Sequence, residues 1–593
     1  MILSLKQKFL ISSAFLVPAA AAQAQTVGIV NDQAARLSID VGPAETVCGD
    51  GIGILANNGP VDVTNAGAIC GNGTSGSNDS PDGGIVLRAG SSHIVNSGMI
   101  NATMFGIATD AYYNAETDSF ESNAPRTRVE NSGQIIGSQN DGIRLFGGGS
   151  VTNSGSIQGQ WGPLTDGVSM LASALTPGEA VTLDNAAGGT IAGARFGAIL
   201  SGPSTIDNAG TISGGEAAIT VQSDPILGGT ASIRNGGTLT GGDGVRVGGL
   251  LEQALIDNSG TISGTVAHGI VNDQPGLLVV DNRAAGQISG ARSAIVARGG
   301  GVTVTNEGVI RGNGADAGNT TPDGGVILLA GSSSIVNGGT ISGATFGIAT
   351  DAYYNAATDS FESNAGATSI RNSGTIIGEA NDGIRLMGGG TVVNSGTIRG
   401  VSGSLTDGVS MLASALRPGE IVSLDNAASG LITGDRFGAI LSGPSAIANA
   451  GTIRGGLAAI AVQSDPILGG SAAIRNSGTL TGADGATFGG ILEQASLENS
   501  GTITGTAGSG IANNQSGALT IDNRAGGTIT GAISGVLARL GAVDIANSGT
   551  IRGNGAAASD AGVFVSAGES RIVNEGVISG AGGGIVAGDF REP

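Results

Sequence analysis

The sequence is poor in the residues that fill a thick core or carry charge. Aromatic residues make up 3% of the 593 residues and charged residues 12%, whereas charged residues usually reach about 25%. Histidine occurs twice, cysteine twice, and lysine only as Lys6 and Lys8. So few large side chains argue against several ordinary globular domains. The net charge is −21 and basic patches with interleaved aromatics are lacking, so we expect no nucleic-acid partner.

Glycine is abundant instead. The chain contains 110 glycines, roughly 19% against an ordinary share of about 7%. These glycines follow no G-X-Y period, which excludes collagen. Ile, Val and Leu recur throughout and the mean hydropathy is +0.21, which argues against disorder. We therefore expect a thin, repetitive β structure punctuated by glycine.

The N-terminal residues 1–24 have the pattern of a secretory signal peptide. A basic start at Lys6 and Lys8 precedes an apolar run that ends in the small-x-small site Ala22-Gln23-Ala24. This pattern predicts cleavage between Ala24 and Gln25. The alternative, an uncut anchor helix, is disfavoured because the apolar run is short for a membrane span. We expect the protein to be exported.

A short phrase, N-x-G-x-[IL], recurs along the chain with small variations and a mean spacing of about 27 residues. A second phrase of the type Asp141-Gly142-Ile143 precedes it in each repeat. Counting variants with one or two inserted residues, the first asparagine of the phrase stands at positions 65, 96, 131, 153, 185, 208, 235, 258, 282, 306, 337, 372, 394, 426, 449, 476, 499, 523, 547 and 574.

Both phrases alternate apolar and polar residues over four or five positions, which is the period of a half-buried strand. Strands this short must stack coil upon coil to bury anything, so we predict a right-handed, single-stranded parallel β-helix of about 20 coils. Ile143 and Leu145 are expected to point inward and Arg144 outward. The asparagines are expected at corners, where asparagine tolerates a left-handed backbone. There they either hydrogen-bond to the asparagine of the next coil or fill the turn locally.

A larger repeat with an offset of 241 residues overlies the small one, since Asp110-Ala111-Tyr112-Tyr113-Asn114 returns at Asp351. We predict an N-terminal cap with the first coils at 25–69, two copies of one block at 70–310 and 311–551, and a partial third copy at 552–593. The longer intervals of each copy contain insertions, all after the G-I strand and before the V-x-N strand. We expect them at one corner of the coil, as binding loops.

Sequence motifs for catalysis and for cofactors are lacking. We find no nucleophile elbow, P-loop, dinucleotide fingerprint or metal-ligand pattern, and His93 and His268 lie 175 residues apart. We therefore expect no catalytic residues, no cofactor, no metal and no enzyme activity.

The alternative is a β-helical polysaccharide lyase or glycoside hydrolase. Stacked coils could bring together the carboxylates that stand before glycine at strand starts, although turn formation explains the Asp-Gly pairs more simply. These carboxylates are Asp50, Asp82, Asp141, Asp166 and Asp243. A third interpretation, ice binding through Thr-x-Thr rows such as Thr238-x-Thr240, is weakened by Met99, Gln134 and Arg399, which interrupt the array.

All four tyrosines lie in one insertion and its copy, with a phenylalanine near each pair. Exposed tyrosines present a flat apolar face and a hydroxyl, which suit sugars or protein partners. The alternative is that these rings fold back onto the side of the solenoid. The candidate partner-binding residues are Tyr112, Tyr113, Phe120, Tyr353, Tyr354 and Phe361.

Cys48 and Cys70 are 22 residues apart, which matches the shortest repeat interval. Equivalent residues of adjacent coils lie about 4.8 Å apart, inside the Cα distance range of a disulfide. We therefore predict a disulfide between them, with two free or separately buried thiols as the alternative.

The phrase N-S-G-T-I-x-G beside G-I strands, behind a signal peptide, resembles the passenger regions of Gram-negative autotransporters over nearly all of residues 50–590. The resemblance implies a secreted or surface-displayed adhesin or virulence-type factor that binds a protein or glycan on a host or neighbouring cell. In that family an outer-membrane β-barrel follows the passenger. The repeat here continues to Asp589 without strands of barrel length, so we expect either a passenger that has no barrel or one whose barrel lies on another sequence. Its location would be the cell surface or the medium, or the periplasm if no barrel is supplied, with no integral membrane segment in the mature chain.

Overall fold

A computed structural model of the protein describes residues 26–588, apart from 117–118, 174–178, 224–227, 357–359, 414–420, 464–468, 491, 558–559 and 567. These residues form strands and connecting loops without a helix, and so the described chain has no helix suited to crossing a membrane. The strands build a parallel β-solenoid of about 21 coils with three strands to a coil. The predicted fold class is therefore confirmed. The chain divides into two compact units, one up to Val279 and one from Val280.

Each coil contributes one strand to each of three parallel sheets, which we number sheet 1, sheet 2 and sheet 3 in chain order. In one coil these strands are Ile143–Phe146, Gly149–Asn153 and Ser156–Gly159. Their inward side chains, Ile143, Val151 and Ile157, are fully buried. Each pairs in register with an apolar residue of the next coil. Full burial of one such side chain contributes roughly 1.5–3 kcal/mol, so the alternating pattern read from the sequence builds the core.

The strands of the first unit are as follows. Sheet 1 contains Val27–Asn31, Ile52–Ala56, Gly83–Leu87, Phe105–Thr109, Ile143–Phe146, Val168–Leu171, Phe196–Ser201, Ala217–Gln222, Asp243–Val247 and Ile270–Asn272. Sheet 2 contains Leu37–Val41, Val61–Asn65, His93–Asn96, Thr127–Asn131, Gly149–Asn153, Val181–Asn185, Ser204–Asn208, Thr230–Asn235 and Gln253–Asn258. Sheet 3 contains Thr46–Gly49, Ala68–Gly71, Met99–Ala102, Gln134–Gly137, Ser156–Gly159, Thr190–Gly193, Thr211–Gly214, Thr238–Gly241 and Thr261–Gly264.

The second unit repeats this arrangement, and the strand Leu277–Asn282 contains the division between the units. Sheet 1 contains Ile295–Ala297, Gly324–Leu328, Phe346–Thr350, Ile384–Leu386, Val409–Leu412, Phe437–Ser442, Ala458–Gln463, Asp484–Gly489, Ile511–Asn513, Val536–Ala538, Val563–Val565 and Ile585–Ala587. Sheet 2 contains Val302–Asn306, Gly331–Asn337, Ala365–Asn372, Gly390–Asn394, Val422–Asn426, Ser445–Asn449, Ser471–Asn476, Gln494–Asn499, Leu519–Asn523, Val543–Asn547 and Arg571–Asn574. Sheet 3 contains Gln287–Gly290, Val309–Gly312, Thr340–Gly343, Thr375–Gly378, Thr397–Gly400, Leu431–Gly434, Thr452–Gly455, Thr479–Gly482, Thr502–Gly505, Thr528–Gly531, Thr550–Gly553 and Val577–Gly580.

In the longer form of the repeated phrase, N-x-G-x-[IL]-x-G, both glycines are required because the backbones approach closely. A Cβ on Gly133 would lie 2.0 Å from the carbonyl oxygen of Gly98 in the preceding coil. A Cβ on Gly137 would lie 2.1 Å from the carbonyl oxygen of Asp141, where the chain bends from sheet 3 into sheet 1. Any larger residue would have to push these backbones apart, which explains why glycine recurs at both places.

The asparagines form the predicted ladder between coils. Asn131 Nδ2 donates to Asn153 Oδ1 at 2.8 Å, and Asn153 Nδ2 donates to Asn185 Oδ1 at 2.8 Å. The local role holds as well, because Asn153 Nδ2 also donates to the carbonyl oxygen of Gly155. The expected left-handed backbone is wrong: in the described part of the chain only Arg126 among non-glycine residues has a positive φ. These asparagines end extended strands, and the residues after them make the corner.

The predicted outward direction of Arg144 does not expose this side chain to water, because it is 1% exposed. Its guanidinium lies 4.0 Å from the ring centroid of Phe105. Nη1 donates to Asn78 Oδ1 at 2.9 Å, and Nη2 donates to the carbonyl oxygen of Thr109. Asn78 belongs to the loop 72–82, which lies over the outer face of sheet 1 and shields the arginine from water.

The insertions that contain the tyrosines and their counterparts lie, where they are described, between a strand of sheet 1 and the following strand of sheet 2. The residues concerned are 110–116 and 119–126, 172–173 and 179–180, and 223 and 228–229. The predicted common corner is therefore confirmed for these residues. The loops 72–82 and 313–323, between sheet 3 and sheet 1, were not predicted from the sequence.

Candidate functional site

The first tyrosine-containing insertion folds into a small hairpin. Its strands Tyr112–Asn114 and Ser119–Glu121 pair antiparallel, with Tyr113 opposite Phe120. The two rings meet edge to face with centroids 5.8 Å apart, a favourable aromatic geometry. Tyr113 remains 56% exposed and Tyr112 37%. The hairpin therefore presents two tyrosines to solvent.

The base of this hairpin is fastened by a buried carboxylate. Ser122 Oγ donates to Asp110 Oδ1 at 2.7 Å, and Asn123 Nδ2 donates to Asp110 Oδ2 at 3.0 Å. The backbone N–H of Ala111 donates to the carbonyl oxygen of Asn78 at 2.8 Å. Both ends of the hairpin are thus held against the solenoid, which limits the freedom of the exposed rings.

Phe120 follows the alternative interpretation, in which a ring folds back onto the solenoid. It is half-buried, lies 6.3 Å from the ring of Phe146, and packs against a buried cluster with Ala111 and Leu171. Phe120 supports Tyr113 from beneath, whereas the tyrosines offer the free surface.

The second hairpin, at Tyr353–Asn355 and Ser360–Glu362, has the same pairing. Tyr354 is 56% exposed and Phe361 46%, and their rings meet edge to face with centroids 5.9 Å apart. Tyr353 is half-buried. The carboxylate of Asp351 accepts hydrogen bonds from Ser363 Oγ and from Asn364 Nδ2. An edge-to-face aromatic pair with an exposed tyrosine, on a fastened base, therefore occurs in both copies.

A second cluster lies beneath the outer face of sheet 1, where Asp141 and Asp166 stand in adjacent coils. The backbone N–H of Asp166 donates to Asp141 Oδ1 at 2.9 Å. Arg195 binds Asp166 through two hydrogen bonds, from Nε at 3.0 Å and from Nη2 at 2.6 Å. Both carboxylates are 1% exposed. The fold thus brings two carboxylates and a guanidinium together and seals them from solvent.

Burial perturbs the titration of this cluster. Loss of water around the carboxyl, together with the nearby charge of Asp166, raises the pKa of Asp141 to about 8. Burial also raises the pKa of Asp166, and the hydrogen bond from Arg195 opposes that rise. Desolvation lowers the pKa of Arg144 to about 10. Such perturbed groups are typical of functional sites but also occur in structural ion-pair networks.

The second copy contains the same cluster. Asp382 Oδ1 accepts the N–H of Asp407 at 2.8 Å, and Arg436 Nε donates to Asp407 Oδ1 at 2.9 Å. Burial and the neighbouring charge of Asp407 raise the pKa of Asp382 to about 7. The arrangement is therefore a property of the repeated block.

The remaining Asp-Gly carboxylates fasten backbone or loops at separate places. Asp50 Oδ2 accepts the hydroxyl of Thr26, Asp82 Oδ2 accepts the N–H of Ser75, and Asp243 Oδ1 accepts the N–H of His268. Among the five aspartates that stand before glycine, Asp141 and Asp166 are linked, because the backbone N–H of Asp166 donates to the carboxylate of Asp141.

The two histidines have different surroundings. His93 Nε2 lies 3.1 Å from Glu130 Oε1, and His268 is buried at 4% exposure. Over the residues that the structure describes, no group of three or more histidine, cysteine or carboxylate side chains could hold a metal ion.

Cys48 and Cys70 are register partners in adjacent coils of sheet 3. Their Cα atoms are 4.6 Å apart, and the structure joins their sulfur atoms in a disulfide. The bond links the strands Thr46–Gly49 and Ala68–Gly71, near the start of the described chain.

The contact between Asn78 and Arg144 was not predicted from the sequence, because the two residues are 66 positions apart. One signal was present: the 241-residue offset reproduces the pair as Asn319 and Arg385, whose side chains hydrogen-bond at 3.1 Å. The predicted cleavage site at Ala24 and Gln25 lies outside the described residues. Comparison with protein-family models, curated proteins and solved structures gives no match to this chain.

Proposed function

We propose that this protein is an exported, adhesin-like binding protein whose two aromatic hairpins contact a protein or glycan on a host or neighbouring cell. The observation that supports this proposal most directly is the exposed tyrosine of each edge-to-face aromatic pair, Tyr113 on Phe120 and Tyr354 on Phe361. The exposed faces of these rings gain no packing from the hairpins on which they lie. A partner would bury them.

Tyrosine suits this role for physical reasons. A tyrosine ring offers a large contact area with few rotatable bonds, and its hydroxyl hydrogen-bonds to a polar partner. The hydrogen bonds of Asp110 and Asp351 hold the hairpin bases before binding, which reduces the conformational entropy lost on association. Two such hairpins on one chain would also increase the apparent affinity for a surface that carries many copies of the partner.

The features that indicate export to a cell surface or to the medium support the same function. The leader at residues 1–24 is expected to direct secretion, and the paired cysteines at Cys48 and Cys70 suit an oxidising compartment. The resemblance to autotransporter passengers points in the same direction. Fractionation of producing cells, with detection of the mature chain outside the cytoplasm, tests this part of the proposal.

Binding is tested with the purified mature protein on intact cells and on a glycan array. Replacing Tyr112, Tyr113, Tyr353 and Tyr354 by alanine should lower binding by about tenfold or more and leave the thermal midpoint unchanged. Trp161→Ala is the matched control, because Trp161 is 72% exposed on a loop outside both hairpins. Unchanged binding of the tyrosine variant, or an equal loss in the control, would reject the hairpins as the binding site.

Cleavage of a polysaccharide is the alternative activity, and the carboxylate clusters do not favour it. A lyase or hydrolase needs its carboxylates beside the scissile bond, whereas Asp141 and Asp166 are each 1% exposed. We expect no new reducing ends when the protein is incubated with neutral or uronic-acid polymers. Cleavage that disappears in Asp166→Asn would establish the enzyme instead.

A further inference from the structure

The second unit has an open cleft of about 380 Å³ on the outer face of sheet 1. Three neighbouring strands form its floor: Phe437–Ser442, Ala458–Gln463 and Asp484–Gly489. Phe437, Leu457 and Asn514 are among the other residues that line it. The cleft adjoins the buried carboxylate Asp407, because the backbone N–H of its lining residue Phe437 donates to Asp407 Oδ1 at 3.1 Å.

The equivalent place in the first unit is occupied by a side chain of the protein itself. Arg246 Nη2 donates to Asp243 Oδ2 at 2.7 Å, and Nη1 lies 3.9 Å from Glu216 Oε2. The arginine, the fourth residue of the strand Asp243–Val247, contacts both of these carboxylates. The first copy thus shows how a guanidinium fits this surface.

The 241-residue offset shows what changes in the second copy. Asp243 is retained as Asp484, Arg246 is replaced by Thr487, and Glu216 is replaced by Leu457. The retained carboxylate keeps its backbone role, because Asp484 Oδ1 accepts the N–H of Ser509 at 2.6 Å, just as Asp243 Oδ1 accepts the N–H of His268. The carboxylate remains, and the arginine that binds it from the same strand in the first copy is replaced by threonine.

Two acceptor atoms in the cleft are left for a ligand. Asp484 Oδ2 accepts no hydrogen bond from the described residues, whereas the matching oxygen of Asp243 binds Arg246. Asn514 Oδ1 is buried and likewise receives no hydrogen bond within the described part of the chain. Burial raises the pKa of Asp484, and the nearby charge of Arg539 opposes that rise only in part. An incoming positive charge would therefore relieve a desolvated carboxylate.

We propose that this cleft binds the guanidinium group of an arginine side chain presented by a partner protein. The guanidinium donates to Asp484 and Asn514 from its planar set of N–H groups. The methylene stem of the arginine packs on Leu457, which replaces the second carboxylate of the first copy. The net charge of −21 adds a long-range attraction for a basic partner.

The site is tested with Nα-acetyl-L-arginine amide and the full mature protein, by saturation-transfer NMR of the probe. The uncharged citrulline analogue and the lysine analogue are measured in parallel. We expect the arginine probe to bind about tenfold more tightly than citrulline, which lacks the charge. Lysine should bind more weakly than arginine because it has a single donor centre.

Two variants place the binding in this cleft. Asp484→Asn removes the charge, and Thr487→Arg supplies the internal guanidinium that fills the equivalent place in the first copy. Each should reduce binding of the arginine probe by about tenfold, with an unchanged circular-dichroism spectrum as the folding control. Arg246→Thr in the Thr487→Arg background should restore binding, because it opens the equivalent place in the first copy.

Three results would overturn the proposal. The first is equal binding of the arginine and citrulline probes. The second is equal binding of the arginine and lysine probes, which would show that the cleft attracts any positive charge. The third is unchanged binding of the arginine probe by folded Thr487→Arg. None of these results depends on the tyrosine hairpins, so the two proposals fail independently.

Discussion

The side-chain amide of Asn153 donates a 2.8 Å hydrogen bond to Oδ1 of Asn185 in the next coil, and both residues are fully buried. Asn153 Oδ1 in turn accepts a hydrogen bond from Asn131. The amide group of Asn153 therefore acts as donor and acceptor at once. In the first unit the ladder runs through Asn65, Asn96, Asn131, Asn153, Asn185, Asn208, Asn235 and Asn258. In the second unit it runs through Asn282, Asn306, Asn337, Asn372, Asn394, Asn426, Asn449, Asn476, Asn499, Asn523, Asn547 and Asn574.

Breaking one step of this ladder should destabilise the coils around it. Asn153→Ala removes the donor to Asn185 and the acceptor for Asn131, and it leaves buried backbone carbonyls without a partner. We expect a cost of about 3 kcal/mol, measured as lost hydrogen-exchange protection in residues 149–159 and 181–193, because a solenoid opens locally. Thr152→Ala, on the exposed side of the same strand, is the control. Equal protection in the two variants would refute the structural role of the ladder.

The stability of the protein should depend on pH through Asp141 and Asp382. Their pKa values are raised by burial to about 8 and about 7, above the ordinary value of 3.8. The folded state therefore holds protons that the unfolded chain releases, so this contribution is complete below about pH 4 and is lost as the pH rises to about 8.

We expect the thermal midpoint of the natural protein to fall between about pH 5 and about pH 9. The fall should be smaller in the double variant Asp141→Asn, Asp382→Asn, because the amide oxygen still accepts the N–H of Asp166 or Asp407 and no ionisation occurs. Asp184→Asn, at an exposed position, should behave like the natural protein. An equal fall of the thermal midpoint with pH in all three proteins would show that Asp141 and Asp382 do not cause it.

The cysteine pair should be oxidised in the exported protein. The mass of the mature chain under non-reducing conditions should be lower by two hydrogens, and no thiol should react with an alkylating reagent. In the chain-entropy account, closing a loop of 22 residues contributes roughly 3 kcal/mol. Reduction should therefore lower exchange protection in residues 26–71 more than in the other coils. Two alkylatable thiols in the native protein would show the disulfide to be wrong.

A methyl group added at Gly133 should destabilise the protein far more than the substitution Ser132→Ala beside it. Gly133→Ala places a Cβ 2.0 Å from the carbonyl oxygen of Gly98, so two coils must separate and their ladder bonds lengthen. Ser132→Ala, at an exposed neighbouring position, is the control. We expect a loss of about 1–3 kcal/mol for the glycine variant, measured as exchange protection in residues 127–137. A folded variant with unchanged protection would show that the corner is more tolerant than its geometry indicates.

The sequence predicted the fold closely because the pattern that specifies it is local. Ile143, Val151 and Ile157 alternate with polar neighbours over a few positions, and Asn153 and Gly155 mark one corner within the same 22 residues. The Cys48–Cys70 spacing could be interpreted once this period was known. The prediction of a left-handed backbone for the asparagines was wrong. Their amides hydrogen-bond along the ladder from the extended ends of strands, so this role does not require a left-handed backbone.

By itself, then, the sequence determined that short strands stack into a solenoid, that Ile143 and Leu145 point inward, and that the insertions leave the solenoid at one corner. The tertiary structure alone decided the burial of Arg144, the raised pKa of Asp141 and the open cleft beside Asp484. The reason is that these properties depend on what covers the outer face of sheet 1. Asn78 covers Arg144 from 66 positions away, and the cleft opens where Thr487 stands at the place that Arg246 holds in the first copy. Burial and electrostatics of this kind follow from contacts between distant residues, which no local period records.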